Sequence, residues 1–303
     1  MVSGKVPGNI KPEIEMLDAP LCQAPDPDPN PLSFAVPVDA CDCHAHVIGP
    51  FARFPLQRDR SYTPPEAPFA AYRRLEAALG MTRGVLVQTS VFGSDNSCML
   101  DALGRDPDHL RGVAVVEANI DDAELARLAA AGVRGIRFNL LFRGGGSLDE
   151  IEVLARRVAP LGWHVEFLLD ARELPELAPR LLDLPVDIVI AHLGHMPASF
   201  GIGHPGLQTL LHLVRRGRCW VKLSGANRVS AIGPPYRDTL LFARALVDTD
   251  PARLVWGSEW PHVAIEGTMA NDGDLLNLLG DWAPDEQLRH QILVQNPTQL
   301  YGF

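Results

Sequence analysis

Long hydrophobic runs are absent from this sequence of 303 residues. No apolar stretch approaches the roughly 20 residues that a membrane-spanning helix requires. The N-terminal stretch MVSGKVPGNIKPEIEM contains no hydrophobic segment that could serve as a secretory signal. We therefore expect a cytoplasmic protein that does not cross or bind a membrane.

Cysteine and positive charge are also scarce. The five cysteines are odd in number and unevenly spaced, which favours reduced thiols over a disulfide framework. Lys and Arg number 27 against 37 Asp and Glu, so the net charge of −10 argues against a nucleic-acid partner. A small anionic substrate remains compatible with this charge, because it responds to the local field of its site.

The hydrophobic content is what a large globular core needs. Apolar residues make up 47% of the chain and charged residues 21%. This length suits one α/β barrel or two smaller domains. Residues 1–36 differ from the rest, since the segment APDPDPNPLS is proline-rich and polar. We interpret residues 1–36 as an extended N-terminal arm and residues 37–303 as one domain.

Short apolar runs alternate with helical patterns from Val36 onward. Several runs are nearly continuous in Val, Ile and Leu, as is typical of parallel strands buried on both faces. The predicted strands cover residues 36–42, 84–90, 112–118, 135–141, 163–169, 186–192, 219–225 and 253–259. Strands that are each followed by a helix predict a (β/α)8 TIM-type barrel. The alternative is a doubly wound open sheet, but the nucleotide-binding fingerprint expected at its first turn is missing.

Polar side chains gather where the predicted strands end, and this is where barrel enzymes carry their chemistry. A single histidine at a strand end is more often structural, and a lone arginine often forms a salt bridge. Placement of many such residues at one end of one barrel predicts a shared site. The residues concerned are His44, His46, Gln88, Ser90, Arg137, Asn139, Arg143, His192, Ser224, Asn227, Arg228, Glu259 and His262.

Alternation of side chains along strands leads to two further expectations. Glu166 on the fifth strand could pair with Lys222 on the seventh, because alternate strands share layers inside a barrel. Cys41 and Cys43 fall on the opposite face of their strand from the first histidine, so we expect them to pack rather than to bind a metal. Four histidines in loops or helices have no predicted role: His109, His204, His212 and His290.

A family resemblance is carried by segments that occur in a fixed order from about residue 37 to the C-terminus. They are DCHAHVIGP, VQTSVFGSDN, RGIRFNLLFR, VIAHLG, GSEWPH and NPTQLY. Together they resemble the amidohydrolase superfamily and, within it, the 2-pyrone-4,6-dicarboxylate lactonases and their sulfomuconolactone-hydrolysing relatives. The histidine pair is common across the superfamily, whereas RGIRFN and WPH are specific to this branch. The resemblance implies a lactonase that opens a small anionic lactone during the breakdown of aromatic compounds.

The resemblance also implies roles for individual residues. Histidines would surround the carbonyl that is attacked, an acid would activate the water, and arginines would hold substrate carboxylates. The histidines are His44, His46 and His192, the acid is Glu259, and the arginines are Arg137, Arg143 and Arg228. Ser90 and Tyr62 would be smaller contributors to substrate binding, and His262 would lie near the water or a carboxylate. These residue types suit the reaction, since ester hydrolysis needs a base and a stabilised oxyanion, and arginine forks match carboxylates.

The sequence does not decide whether the protein uses a metal ion. In the superfamily the histidine pair commonly binds zinc or manganese. The pyrone lactonases resemble that arrangement but are thought to work without a metal, whereas the sulfomuconolactone relatives are thought to keep one. We therefore retain both one zinc or manganese ion and metal-free operation. The ligand set would be His44, His46, His192 and Glu259.

Three positions depart from the family pattern. Glu259 stands where the family normally has aspartate, and its extra methylene moves the carboxylate by roughly 1.5 Å. Leu168 replaces a tyrosine, and Ala264 replaces an asparagine. A lactone with fewer polar substituents than the dicarboxylated pyrone, or a sulfonated muconolactone, therefore fits as well.

Two other functions stay open. A metal-dependent decarboxylase of an aromatic or muconate-type acid would use the same histidines and the same acid on the eighth strand. An inactive barrel would bind an aromatic acid without turnover. The sequence also leaves open an oligomer, in which the N-terminal arm would cover the end of the barrel or a neighbouring subunit.

Overall fold

The computed structural model describes residues 19–141, 148–265 and 267–303. The strands are β1 Cys41–Ala45, β2 Arg83–Val87, β3 Leu110–Ala114, β4 Val133–Asn139, β5 His164–Leu168, β6 Ile188–Ile190, β7 Cys219–Leu223 and β8 Leu254–Trp256. They form one parallel sheet in which each strand pairs with the next one along the chain. The predicted (β/α)8 barrel is confirmed.

Helices follow each strand and cover the outside of the sheet. The α-helices are α1 Phe69–Leu79, α2 Ser97–Leu103, α3 Asp122–Ala130, α4 Leu148–Val158, α5 Leu174–Leu182, α6 Pro205–Arg215, α7 Ala226–Val229, α8 Leu240–Thr249, α9 Asp272–Trp282, α10 Glu286–His290 and α11 Asn296–Tyr301. Among the described residues, no helix is long and apolar enough to cross a membrane.

Helix α1 illustrates how local sequence sets these boundaries. It begins after Pro68, and it ends at Gly80, whose φ of 70° suits a residue without a side chain. Tyr72, Leu75 and Leu79 form its buried face. This spacing of three and four residues is what an amphipathic helix needs to cover a sheet.

The first predicted strand begins too early. We expected residues 36–42, but the structure has β1 at Cys41–Ala45. Pro37 cannot donate to a sheet, and Asp39 has a φ of 63°, which turns the chain before the strand. As a result, His44 lies within the strand, and His46 follows directly after it.

Strict alternation does not hold along β1. Its pairing with β2 shifts register between Asp42 and Ala45, as in a β-bulge. Asp42 lies near α1, with one carboxylate oxygen 3.4 Å from the Tyr72 hydroxyl. Cys41 and Cys43 are fully buried in an apolar cluster, so their expected packing role is confirmed, although the alternation that suggested it is interrupted.

Main-chain hydrogen bonds join β1 to the segment after β8 and close the barrel. Glu259 N donates to His44 O at 2.7 Å, and His46 N donates to Trp260 O at 2.8 Å. Gly257 permits this approach, because a Cβ atom there would lie 2.7 Å from the Cβ of His44. The closure therefore brings the first and last strands of the barrel together at their carboxyl ends.

The described part of the N-terminal arm lies against the barrel. Asn271 and Asn277 of the α9 region accept hydrogen bonds from the backbone of Asn30 and Ser33, at 2.8 and 2.7 Å. Cys22 N donates to Thr63 O at 2.8 Å. Residues 1–18 lie outside the described part of the chain, and the arm boundary at residue 36 stays a prediction.

Candidate active site

A cavity of about 570 Å³ opens at the carboxyl ends of the strands. Its volume is in the range of small-molecule sites. The predicted site residues that line it are His46, Tyr62, Gln88, Ser90, Arg137, Asn139, His192, Arg228 and Glu259. Arg143 lies outside the described residues. His44 and His262 are buried but do not line the cavity wall.

Glu259 presents one carboxylate oxygen that none of the described residues binds. Its Oε1 lies 2.5 Å from Nε of Arg228, which also donates through Nη2 to Val263 O at 2.7 Å. Its Oε2 is buried and has no hydrogen-bond partner among the described residues. A carboxylate held at one oxygen and open at the other is suited to accept a proton at the open oxygen.

His192 stands next to this carboxylate, with Nε2 3.7 Å from Oε1 of Glu259. Its Nδ1 lies 2.9 Å from the Ser224 hydroxyl. Gly225 makes room for the ring, because a Cβ atom there would lie 2.7 Å from the Cβ of His192. Burial, and then the charge of Arg228, hold the pKa of His192 well below its ordinary value, so the ring is neutral.

His46 presents an acceptor to the cavity. Its Nδ1 lies 2.7 Å from Val87 O, and since a carbonyl only accepts, Nδ1 must carry the proton. The lone pair of the neutral ring therefore lies on Nε2. Burial, followed by the charge of Arg137, lowers the pKa of His46 to about 3.

His44 lies behind His46 and His192, with ring centroids 5.1 and 4.6 Å away. It contacts the ion pair that we predicted from strand alternation, which is confirmed: Lys222 Nζ lies 2.6 Å from Oε2 of Glu166. The same ammonium group lies 3.1 Å from Nδ1 of His44. The first histidine of the pair therefore contacts a buried lysine, whereas the second faces the cavity.

Arginines supply the positive charge of the cavity. Arg137, on β4, donates through Nη1 to Gln88 O at 3.3 Å, and its Nε lies 4.0 Å from Oε1 of Glu166. This Nε has no hydrogen-bond partner among the described residues. The side chain is 9% exposed, so its charge acts in a largely dehydrated site where Coulomb interactions are strong.

Smaller side chains complete the wall. Tyr62 Oη lies 3.1 Å from Thr89 Oγ1 and 3.0 Å from Ser90 Oγ. Leu168 and Ala264, two of the departures from the family pattern, both line the cavity. The cavity therefore has apolar surface at positions where polar side chains would otherwise meet a substrate.

His262 contacts a partner of its own. Its Nε2 lies 2.9 Å from Oδ1 of Asp272, and both side chains are fully buried. Burial acts to lower the pKa of His262, but the Asp272 carboxylate outweighs it and raises the pKa. Asp272 begins α9, so this pair ties the segment after β8 to that helix.

Sequence reasoning missed His195 and the backbone strain around the site. His195 lines the cavity, and the spacing HLGH after β6 was the available signal. Of the eight non-glycine residues with positive φ in the described chain, six lie in the loops after β6 and β8: His192, Leu193, His195, Glu259, His262 and Ala264. Each costs on the order of 1 kcal/mol or more, and such strain is concentrated at functional sites.

Two of the four residues that the resemblance implies as metal ligands have one potential ligand atom facing a positively charged side chain. Nδ1 of His44 faces the Lys222 ammonium, and Oε1 of Glu259 is engaged by Arg228. Within residues 19–141, 148–265 and 267–303, no group of three or more His, Cys, Asp or Glu side chains is arranged to hold a metal. The arrangement instead offers one free carboxylate oxygen, one imidazole acceptor and two guanidinium groups.

Similarity to known proteins indicates which family this chain belongs to. The profile of a family described as amidohydrolase matches residues 41–303. The 4-sulfomuconolactone hydrolase of Hydrogenophaga intermedia is 38% identical over 289 residues, which cover 94% of this chain and 95% of that protein. The 2-pyrone-4,6-dicarboxylate hydrolase of Comamonas testosteroni is 38% identical over 279 residues, which cover 88% and 92%.

Solved structures show the same similarity in three dimensions. A probable 2-pyrone-4,6-dicarboxylic acid hydrolase of Acinetobacter baumannii, with citric acid bound, superposes with a TM-score of 0.80 at 31% identity. The match covers 88% of this chain and all of the other.

Proposed function

Because this chain belongs to the amidohydrolase family, we propose that it is a lactonase that hydrolyses the ring ester of a small anionic lactone from aromatic-compound breakdown. The observation that carries the proposal is the free Oε2 of Glu259 in a cavity that also contains His46 and two arginines. Relatives named for the hydrolysis of 4-sulfomuconolactone and 2-pyrone-4,6-dicarboxylate support the substrate class.

Glu259 acts as the base. Its Oε2 accepts a proton from a water molecule as the water oxygen attacks the lactone carbonyl. Arg228 holds Oε1, so the carboxylate cannot rotate away from the water. The longer side chain compared with aspartate is accommodated by this contact. A well-placed base contributes a rate factor of roughly 10² to 10⁴.

The histidines have different tasks. His46 accepts a hydrogen bond from the water at Nε2, because its Nδ1 proton is held by Val87 O. We assign the Ser224 hydroxyl as the donor to Nδ1 of His192, 2.9 Å away, so that this histidine presents Nε2–H to the oxygen on which charge develops. Collapse of the tetrahedral intermediate breaks the ring C–O bond. The proton taken by Glu259 then passes to the leaving oxygen, or to solvent when that oxygen departs as a stable enolate.

Arginines select for acidic substituents. Nε of Arg137 has no partner in the described chain, whereas Arg228 uses Nε and Nη2 for Glu259 and Val263, so Arg137 is the arginine better placed to bind a carboxylate or sulfonate oxygen. The described wall at Leu168 and Ala264 is apolar. The substrate is therefore a lactone with an acidic group at Arg137 and a less polar edge at Leu168 and Ala264. Citric acid bound to the Acinetobacter relative is consistent with a site for anions in this fold.

We further propose that hydrolysis proceeds without a bound metal ion. The support is that the Lys222 ammonium faces His44 and the Arg228 guanidinium binds Glu259, so a metal ion held by these residues would lie near two positive charges. The steps above use only protein side chains and water.

The test is turnover on a panel of lactones by the purified protein. The panel contains 2-pyrone-4,6-dicarboxylate, 4-sulfomuconolactone and an uncharged lactone of similar size, with released acid and carbon dioxide both measured. We expect ring opening of at least one anionic lactone, no carbon dioxide, and no loss of rate after chelation. Release of carbon dioxide would establish the decarboxylase instead. Binding without turnover on the whole panel would establish an inactive barrel.

A further inference from the structure

Lys222 is an unusual residue for the interior of this protein. It is the one lysine between residues 12 and 303, and its side chain is completely buried within β7. Burial of an ammonium group is costly unless the charge is paired. Lys222 satisfies this condition through Glu166 at 2.6 Å, but a second contact, to Nδ1 of His44 at 3.1 Å, is not needed for charge balance.

The second contact determines where the proton of His44 lies. An ammonium group can only donate, so Nδ1 of His44 must be the acceptor. An imidazole ring that keeps a lone pair on Nδ1 holds its one proton on the other nitrogen. That proton lies on Nε2. This atom is buried and has no hydrogen-bond partner among the described residues.

We propose that Lys222 is a positioning residue that holds His44 in its Nε2–H form and so makes this site a hydrogen-bond donor instead of a metal ligand. The inference goes beyond the proposed function and does not depend on which lactone is opened. A metal ion needs the lone pair of a ring nitrogen, and in this form Nε2 has none to give. The Nε2–H group is instead available to a water or carbonyl oxygen that enters between His46 and His192.

Because Glu166 also lies near His44, replacing Lys222 alone should move the ring proton of His44 from Nε2 to Nδ1. Its Oε1 lies 3.5 Å from Nδ1 of His44, slightly beyond a good hydrogen bond. Without Lys222, the carboxylate would be the partner left to Nδ1 and would move the ring proton to that atom. A carboxylate that accepts from one ring nitrogen is the arrangement that orients metal-ligating histidines in proteins.

The test measures the ring proton directly. Wild-type protein and the Lys222→Met variant are labelled with ¹⁵N-histidine, and His44→Gln identifies the His44 signals. Nitrogen shifts and ring couplings distinguish the two tautomers. We expect Nε2–H in the wild type and Nδ1–H in Lys222→Met. In equilibrium dialysis we expect Lys222→Met to bind one equivalent of zinc at least tenfold more tightly than the wild type.

Glu166→Gln is the matched control, because it removes the ion pair but keeps the lysine that donates to His44. We expect this variant to retain the Nε2–H form and to gain no zinc binding, with melting curves showing that it is folded. An Nδ1–H form in the wild type, or stoichiometric tight zinc binding with Lys222 in place, would overturn the proposal. So would a folded Lys222→Met variant with unchanged tautomer and zinc affinity. If that variant does not fold, the wild-type and Glu166→Gln spectra still decide.

Discussion

The two ends of the barrel both carry acidic and basic side chains, but these side chains differ in burial and in pairing. At the amino end, a smaller cavity of about 270 Å³ is lined by Trp163, His164, Asp187, Arg218 and Trp220, among others. Asp187 accepts a hydrogen bond from Trp220 Nε1 at 2.9 Å and lies 3.6 Å from Arg218 Nε. The acid and the arginine of this end therefore bind each other or their neighbours.

The carboxyl end leaves its strongest groups incompletely paired. Oε2 of Glu259, Nε of Arg137 and Nε2 of His44 are all buried without a hydrogen-bond partner in the described chain. An unpaired buried polar atom costs about 1–3 kcal/mol, so a protein rarely retains several of them without a use. The comparison teaches that the acid and the arginine of the amino end are partly exposed and paired, whereas those of the carboxyl end are buried and keep unpaired atoms.

His164 tests this conclusion, because it is buried at the amino end and both ring nitrogens lack a partner among the described residues. It has no acid or guanidinium of the candidate site beside it in the cavity that it lines. Substitutions at the two ends should therefore differ in their effect on catalysis.

Glu259→Gln should reduce kcat of lactone hydrolysis by roughly 10³-fold, because the amide cannot accept the proton of the water. The amide oxygen can still contact Arg228, so the melting temperature should change little. Steady-state kinetics and thermal melting check both expectations. Retention of full activity toward every lactone that the wild type hydrolyses would falsify the assignment of the base.

Arg137→Met should raise KM for an anionic lactone by roughly 10- to 100-fold, since hydrogen bonds to charged groups contribute about 1.5–3 kcal/mol. The matched control is the uncharged lactone, for which KM should change much less. An equal loss on both substrates would show that Arg137 maintains the shape of the site and does not recognise the acidic group.

His164→Leu should change the pH dependence of stability but not catalysis. Burial, then the charge of Lys222, lowers the pKa of His164 from 6.5 to about 3. Below pH 6.5 His164 is protonated in the unfolded chain but stays neutral in the folded chain. The free energy of unfolding therefore falls as the pH falls towards 3. At pH 5 the loss from one such histidine is about 2 kcal/mol.

Urea unfolding at pH 7 and pH 5 measures this effect. The loss of stability between the two pH values should be about 2 kcal/mol smaller in His164→Leu than in the wild type, with kcat/KM unchanged at pH 7. A large loss of kcat/KM in the folded variant would show that His164, at the amino end of the barrel, also contributes to catalysis.

Tyr62→Phe should have the smallest effect. The variant keeps the ring in the cavity wall but removes hydrogen bonds to Thr89 and Ser90. A neutral hydrogen bond contributes about 0.5–1.5 kcal/mol, so KM should rise by roughly 2- to 10-fold. Ser90→Ala is the comparison variant, and a double-mutant cycle would show whether the two hydroxyl groups act together.

Much of the fold could be predicted from periodicity alone. Apolar runs of strand length, each followed by an amphipathic helix, determine a parallel sheet whose carboxyl ends converge. That convergence is why His46, Arg137, His192 and Glu259 could be placed together without coordinates. The start of β1 could not be placed correctly, because it depends on the turn at Asp39.

What the sequence determined by itself is therefore the barrel, the end that carries chemistry, and the pairing of Glu166 with Lys222. Only the tertiary structure decided which atoms remain available. His44 and His46 are two residues apart and chemically identical, yet one accepts from Lys222 and the other donates to Val87 O. Those partners come from other strands, and the position of a ring proton depends on the group that faces each nitrogen in space, which no local pattern records.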